Sequence, residues 1–234
     1  MLTDARMRNG VVERHSCCRV NAYAGWGLAV MALVFVLFPT SASADGLGYD
    51  GLPPQELCGL CHGLSGISAT AKFPKLAGQK VGYIEKQLRD ILAGRRTNDG
   101  GQMVSVITEI RPDQFPAVAK YFSLQKPPPP QENDASDVSA DALIRAASIY
   151  ENGKPHVGVP ACKSCHGPGP RSLPAAPHLS AQHSGYIEKQ LSDFRTNTRS
   201  NDTGSTMRQI AAKLSVDESR ALAAYLASLP RNGS

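Results

Sequence analysis

Aromatic residues make up only 6% of this 234-residue chain. A small domain with so few large apolar side chains struggles to fill a core on its own, and commonly relies on disulfides, a metal or another bound group. Charge of one sign is also scarce. The net formal charge is +5, and no basic stripe with interleaved aromatics exists, so a nucleic-acid partner is not expected. Beyond residue 44 no stretch is long and apolar enough to span a bilayer. Nor does any segment alternate polar and apolar residues as a half-buried strand does. These absences leave a helical, soluble protein, and its 17 prolines point to loops or a linker.

The amino terminus reads as an export leader. Arg6, Arg8, Arg14 and Arg19 precede the apolar run LAVMALVFVLF at Leu28 to Phe38, and PTSASA then offers a cleavage site after Ala44. Residues 1–44 are thus expected to be a cleaved signal peptide and the mature protein to be periplasmic. If the leader is retained, it serves as a membrane anchor. Cys17, Cys18, Met1, Met7 and Met31 leave with it. Four cysteines remain, Cys58, Cys61, Cys162 and Cys165, with only two methionines, Met103 and Met207.

The rest of the chain is written twice. YIEKQL occurs at Tyr83 to Leu88 and again at Tyr186 to Leu191, CGLCHG at Cys58 matches CKSCHG at Cys162, and each half holds one of the methionines. The cysteines and the methionines recur at an offset of 104 and the hexapeptides at 103. Residues 45–125 and 141–234 are therefore expected to be two domains, joined by a proline-rich linker at 126–140 that reaches on the order of 40 Å if extended. Each half closes with a helical pattern, FPAVAKYFSL in the first and SVDESRALAAYLASL in the second, where Ser215 and Glu218 have capping-box spacing. The hexapeptide opens a scaffold helix, with Tyr83, Leu88, Ile91 and Leu92 on one face and Tyr186, Leu191 and Phe194 on its twin. Only the second half carries a long helical lead-in, ADALIRAASIYENGKP, so the first is expected to lack most of its opening helix.

Cys-x-x-Cys-His is the attachment signature of c-type haem. The thiols form thioethers with the porphyrin, and the following histidine comes to lie under the iron. Cys58, Cys61 and His62 are therefore expected to hold one haem, and Cys162, Cys165 and His166 a second. Three other readings compete: a thioredoxin-like pair, which lacks its βαβ context, a zinc site, which leaves the histidines unexplained, and disulfides of an exported chain. Haem iron is often ligated by histidine and methionine. Met103 follows His62 by 41 residues, and Met207 follows His166 by 41, so these methionines are the expected sixth ligands, with core filling as the alternative. His178 and His183 are rivals to Met207 for the second haem, but the first half has Lys75 and Lys80 at the matching places, so both read as surface residues, as does His156.

These residues resemble the class I c-type cytochromes, and specifically the two-haem exported kind, cytochrome c4, over roughly residues 45 to 230. The resemblance implies an all-α fold of two tandem class I cytochrome c domains, each around one covalent haem. It also implies that Pro74 and Pro177 offer a backbone carbonyl to the proximal histidines, and that Arg95 and Arg199, each eight residues before its methionine, lie near the haem propionates. A turn role for the prolines and a solvated role for the arginines stay open.

The function so implied is one-electron transfer, with two covalently attached haem c groups as cofactors and no catalytic residues. Redox proteins are the expected partners: a dehydrogenase or respiratory complex as donor, a terminal oxidase or other acceptor downstream, with peripheral membrane association allowed. Two alternatives belong to other classes. A dihaem enzyme such as a peroxidase or a thiosulfate-oxidising cytochrome needs an iron with an exchangeable position, and a haem subunit of a larger oxidoreductase, flavocytochrome-like, is hardly separable by sequence.

Overall fold

The computed structural model describes residues 51–131, 137–167 and 173–231. The expected signal peptide and part of the linker lie outside the described residues. Nine α-helices run through them: α1 (Pro54–His62), α2 (Val81–Leu92), α3 (Gln102–Ile107), α4 (Phe115–Ser123), α5 (Ala140–Asn152), α6 (Lys163–His166), α7 (Ser184–Arg195), α8 (Thr206–Ala211) and α9 (Val216–Ser228). The described residues contain no strand beyond a single bridge between Lys154 and Val159. No described helix is long and apolar enough to cross a membrane.

Each half builds its own core. In the first, Ile84, Leu88 and Ile91 project from one side of α2, at i, i+4 and i+7, onto Phe115, Val118 and Phe122 of α4, with Leu57 of α1 alongside. Phe115 and Phe122 are completely buried. In the second, Ile187 of α7 and Ala146, Ile149 and Tyr150 of α5 meet Leu222 and Leu226 of α9. Ala221, Ala223, Ala224 and Ala227 are also buried on α9, and such small side chains let neighbouring backbones come close. The periodicity argument therefore needs correction at α2. Leu92 is 37% exposed and Tyr83 belongs to a different face from the core residues.

Local signals set the helix ends. Proline in the first turn and Glu56 favour the start of α1, and Gly63, at φ 78°, ends it with its N–H on Gly59 O. Ser215 and Glu218 form the expected capping box on α9. Glu218 N–H donates to Ser215 Oγ at 3.0 Å, and Ser215 N–H to Glu218 Oε2 at 2.8 Å. The halves differ at their openings, because α5 has no counterpart among the described residues of the first half. The linker does not run free: Pro127 lies against Gly78, and Gln131 N–H donates to Ala227 O at 2.9 Å.

Removing the cap on α9 tests this account of the second core. Ser215→Ala should lower unfolding stability by about 0.5–2 kcal/mol, read as a lower denaturant midpoint at unchanged slope.

Candidate cofactor sites

Each motif histidine stands at the last position of its helix, His62 on α1 and His166 on α6. Both make the same hydrogen bond. His62 Nδ1 lies 2.8 Å from Pro74 O, and His166 Nδ1 lies 2.9 Å from Pro177 O. A carbonyl only accepts, so each Nδ1 carries the proton and each Nε2 presents a lone pair. His62 Nε2 is buried without a hydrogen-bond partner, which is costly for a polar atom unless another group takes that lone pair. Burial pushes both imidazoles below their ordinary pKa, which favours the neutral, ligating form. The edge of Phe73 packs on the His62 ring, with centroids 6.1 Å apart.

No disulfide joins any of the four motif cysteines. Burial raises Cys58 and Cys162 to about 11, the opposite of the lowered pKa that marks a thioredoxin-like nucleophile. A cavity of about 870 Å³ is lined by Cys58, Cys61, His62 and Met103 from the first half, and by Cys162, Cys165, His166 and Met207 from the second. The cavity is continuous across both halves and brings the expected ligands together. Met103 and Met207 lie near the starts of α3 and α8. There Asp99 accepts from the Met103 N–H at 2.5 Å, and Asp202 from the Arg208 N–H at 3.0 Å. Met103 also packs against the first core.

Between the halves lies a polar contact with near two-fold symmetry, and the hexapeptide helices form it. Arg199 donates to Gln190 Oε1 at 2.7 Å and to Gln87 Oε1 at 3.0 Å, while Arg96 donates to Gln87 Oε1 at 2.9 Å and to Gln190 Oε1 at 3.4 Å. Asn201 donates to Gln87 and Asn98 to Gln190, both at 3.0 Å. Lys86 and Lys189 reach the backbone carbonyls of Asn201 and Asn98, each at 2.7 Å. Tyr186 accepts from Arg96 at 3.0 Å. Burial pushes the Tyr83 phenol up, but the guanidinium groups of Arg199 and Arg96 outweigh it and hold the phenol below its usual range. The hexapeptide is therefore not a mere scaffold. Tyr83, Gln87 and Asp90, spaced i, i+4 and i+7, form a second buried or half-buried face of α2 that meets the other half.

This arrangement revises the arginine expectation. Arg95 is 58% exposed at its side chain, bonds Asp90 Oδ1 at 2.9 Å and does not line the cavity. Arg96 takes the place that mirrors Arg199, and both line the cavity. The 103-residue offset persists from Pro74/Pro177 to Asn98/Asn201, so counting back from the methionines selected the wrong neighbour. Arg199 also stacks on Phe194, 4.5 Å from the ring centroid. His183 is likewise not a surface residue: it is 4% exposed and its Nε2 lies 2.9 Å from Ser68 Oγ. His178 is half-buried, and burial first, then Lys80 and Arg231, lowers it to about 4. His156 is exposed as expected.

A second pair of contacts clasps the segments after the motifs. Gln79 accepts from His178 N–H at 2.7 Å and donates to His178 O at 3.0 Å, and Gln182 repeats this with Lys75 at 2.9 and 3.0 Å. Arg231 spans both halves, bonding Ala77 O at 2.8 Å and Ser180 O at 2.7 Å. Sequence reasoning missed these residues, although one signal was present: polar residues recurring at a fixed offset without a place in either core.

Two helical halves that each present this histidine, cysteine pair and methionine to a cavity define a class I c-type cytochrome with two covalently attached haem c groups. The cytochrome c family model matches residues 149–230. Cytochrome c4 of Pseudomonas aeruginosa is 38% identical over 192 residues, 80% of this chain and 91% of that protein. The crystal structure of reduced cytochrome c4 from Pseudomonas stutzeri superposes with a TM-score of 0.65 at 34% identity, covering 76% of this chain and 97% of that one. The chain belongs to the cytochrome c4 family, whose members are electron-transfer proteins. It is also 33% identical to the thiosulfate dehydrogenase electron acceptor of Stutzerimonas stutzeri, over 87% of this chain and 94% of that protein.

The clasp carries a test. In the haem-loaded protein, Gln182→Leu removes both partners that the glutamine offers to the Lys75 backbone, and should cost about 1–3 kcal/mol of stability by denaturant titration.

Proposed function

We propose that this dihaem cytochrome carries single electrons in the bacterial periplasm, between a dehydrogenase or respiratory complex and a terminal oxidase or similar acceptor. The observation that carries the residue assignments is the matched histidine geometry. Each Nδ1–H is committed to a proline carbonyl, and each ring stands at a cavity also lined by the sole methionine of its mature half.

In this reading Cys58 and Cys61 would hold the first haem and Cys162 and Cys165 the second, while His62 with Met103, and His166 with Met207, would ligate the iron. Haem iron supplies the Fe(III)/Fe(II) couple, and methionine ligation favours a raised potential. Pro74 and Pro177 fix ring orientation and keep the imidazoles neutral at Nε2. Arg96 and Arg199 line the cavity as guanidinium groups, and the hydrogen bonds of Arg199 run to neutral oxygens. That leaves positive charge suited to the haem propionates. Phe73, Leu88, Ile107, Leu191 and Phe194 give the cavity an apolar lining that excludes water, which limits the reorganisation attending each electron.

The arginine-flanked apolar leader, with its cleavage motif ending at Ala44, supports export, and the two cores support a division into domains at 45–125 and 141–234. Among donors, a thiosulfate-oxidising dehydrogenase is a specific candidate, because one relative carries the name of electron acceptor to such an enzyme. A catalytic dihaem enzyme is disfavoured, since two matched methionines line the cavity and would take the positions that a substrate needs.

Met103→Ala and Met207→Ala should each lower one of two midpoint potentials and leave the other nearly fixed in a spectroelectrochemical titration. An unchanged titration removes that methionine as a ligand. Replacing Cys58 and Cys61 together by alanine should leave one haem per chain by haemochrome assay and intact mass, whereas two would refute the assignment.

A further inference from the structure

From Ile67 to Lys72 the loop of the first half is exposed except at Ser68, which is 4% exposed. Its hydroxyl donates to Phe73 O at 2.6 Å. That spends its one proton, so Ser68 Oγ can only accept from a further partner. The partner comes from the other half. His183, buried immediately before α7, has its Nε2 2.9 Å from Ser68 Oγ and 3.2 Å from Ser68 O. Two accepting oxygens fix the tautomer: His183 carries its proton on Nε2, whereas His62 and His166 carry theirs on Nδ1. The loop also lies against the first turn of α7, where a Cβ on Gly185 would fall 3.3 Å from that of Ala71.

The bonds lead on to the first motif histidine. They run from His183 Nε2–H to Ser68 Oγ and from Ser68 Oγ–H to the carbonyl of Phe73, whose peptide bond joins it to Pro74. The next carbonyl, Pro74 O, takes the proton of His62 Nδ1 at 2.8 Å, and the Phe73 ring packs edge-on to the His62 ring. Phe73 and Pro74 both line the cavity. A residue of the second half therefore anchors the segment that steers His62. The mirrored contact ends elsewhere. Lys80, at the matching place before α2, donates from Nζ to Leu173 O at 3.1 Å, an exposed contact short of Ala176, which stands where Phe73 does.

We propose that His183, a residue of the second half, is a positioning residue for the first haem: through Ser68 it holds the Phe73–Pro74 segment against His62 and so lowers the first haem's reduction potential. The inference rests on the reading of His62 as that haem's ligand. The sign follows from the hydrogen bond. An imidazole on ferric iron gives up more electron density than one on ferrous iron, so its Nδ1–H is the stronger donor and its bond to Pro74 O is worth more in the oxidised state. A loop released from Ser68 weakens that bond and favours the reduced state. The potential of one haem is thus tied to the seating of the other half.

The test uses the full-length, haem-loaded protein and three variants, His183→Leu, His183→Gln and Ser68→Ala. Both midpoints are followed by redox titration, with each haem assigned through the NMR methyl signal of its own methionine, and solvent exchange of the His62 Nδ1 proton is measured separately. His183→Leu and Ser68→Ala should each shift the first haem's Fe(III)/Fe(II) ratio toward ferrous by about two- to tenfold at a fixed applied potential, the scale of one weakened hydrogen bond, and should speed exchange of the His62 proton. Tenfold corresponds to about 59 mV for one electron. The second haem should not move. His183→Gln, whose amide nitrogen reaches the place of Nε2, should keep both readings at their wild-type values. Should His183→Leu fail to fold, Ser68→Ala, which removes a single oxygen, decides alone. No shift of the first haem, an equal shift of both, or a His183→Gln protein that behaves like His183→Leu overturns the proposal. Two haems per chain with both methionine signals present keep the ligand reading intact in each of these outcomes. Absence of the Met103 signal from the wild-type protein strikes that reading instead, and the proposal with it.

Discussion

The hydrogen bond from a motif histidine to a proline carbonyl is the constraint on which the rest of the structure depends. An imidazole free to turn, or to exchange its proton between nitrogens, makes a poor permanent ligand. Spending Nδ1–H on Pro74 O or Pro177 O fixes both the tautomer and the ring direction. The segments that bring these prolines under the rings are then secured by the glutamine clasp, in which Gln79 holds His178, one residue past Pro177, and Gln182 holds Lys75, one residue past Pro74. Each half therefore positions the proline loop of the other.

That reciprocity explains why the two halves form one unit. A helix ordinarily needs one apolar stripe, and α2 has it in Ile84, Leu88 and Ile91. The neighbouring face, with Tyr83, Gln87 and Asp90, is polar and still covered, because α7 and its loop supply matched donors. Burial pushes the Asp90 carboxyl up, yet hydrogen bonds from Lys86, Asn201 and Arg95 outweigh it and hold the carboxyl below its usual range. Its contribution to stability is therefore present above the ordinary carboxylate pKa and fades as pH falls through the depressed one. Buried polar networks of this kind are favourable only when nearly every member is satisfied. The symmetric doubling of each bond achieves that with one set of residue types used twice.

Much of the chemistry was legible in the amino-acid sequence because it depends on local spacing. The two Cys-x-x-Cys-His motifs, the equal histidine-to-methionine distances and the Ser215 and Glu218 cap are all readable signals: the cysteines, histidines and methionines line one cavity, and the cap residues bond each other at the start of α9. The errors have two causes. Helical periodicity reports the face that meets a helix's own core, so the polar face of α2 read as neutral scaffold, and buried His183 read as a surface residue. Arg95 was selected over Arg96 because a single offset was extended across both markers. The register holds at 103 through Asn98 and Asn201, and the extra residue enters only in the loop before the methionine. Interfaces between repeats escape single-repeat logic, although recurrence of Arg, Gln, Asn and Asp at one offset was their trace.

The central claim is that this duplicated chain holds one haem at each motif, through Cys58 and Cys61 and through Cys162 and Cys165. Proteolytic peptide mapping of the haem-loaded protein by mass spectrometry tests it most directly. The account predicts that the peptide containing Cys58 to His62 and the peptide containing Cys162 to His166 each carry the mass of one covalently bound haem. Either peptide recovered with free thiols, or with its two cysteines joined as a disulfide, would contradict it.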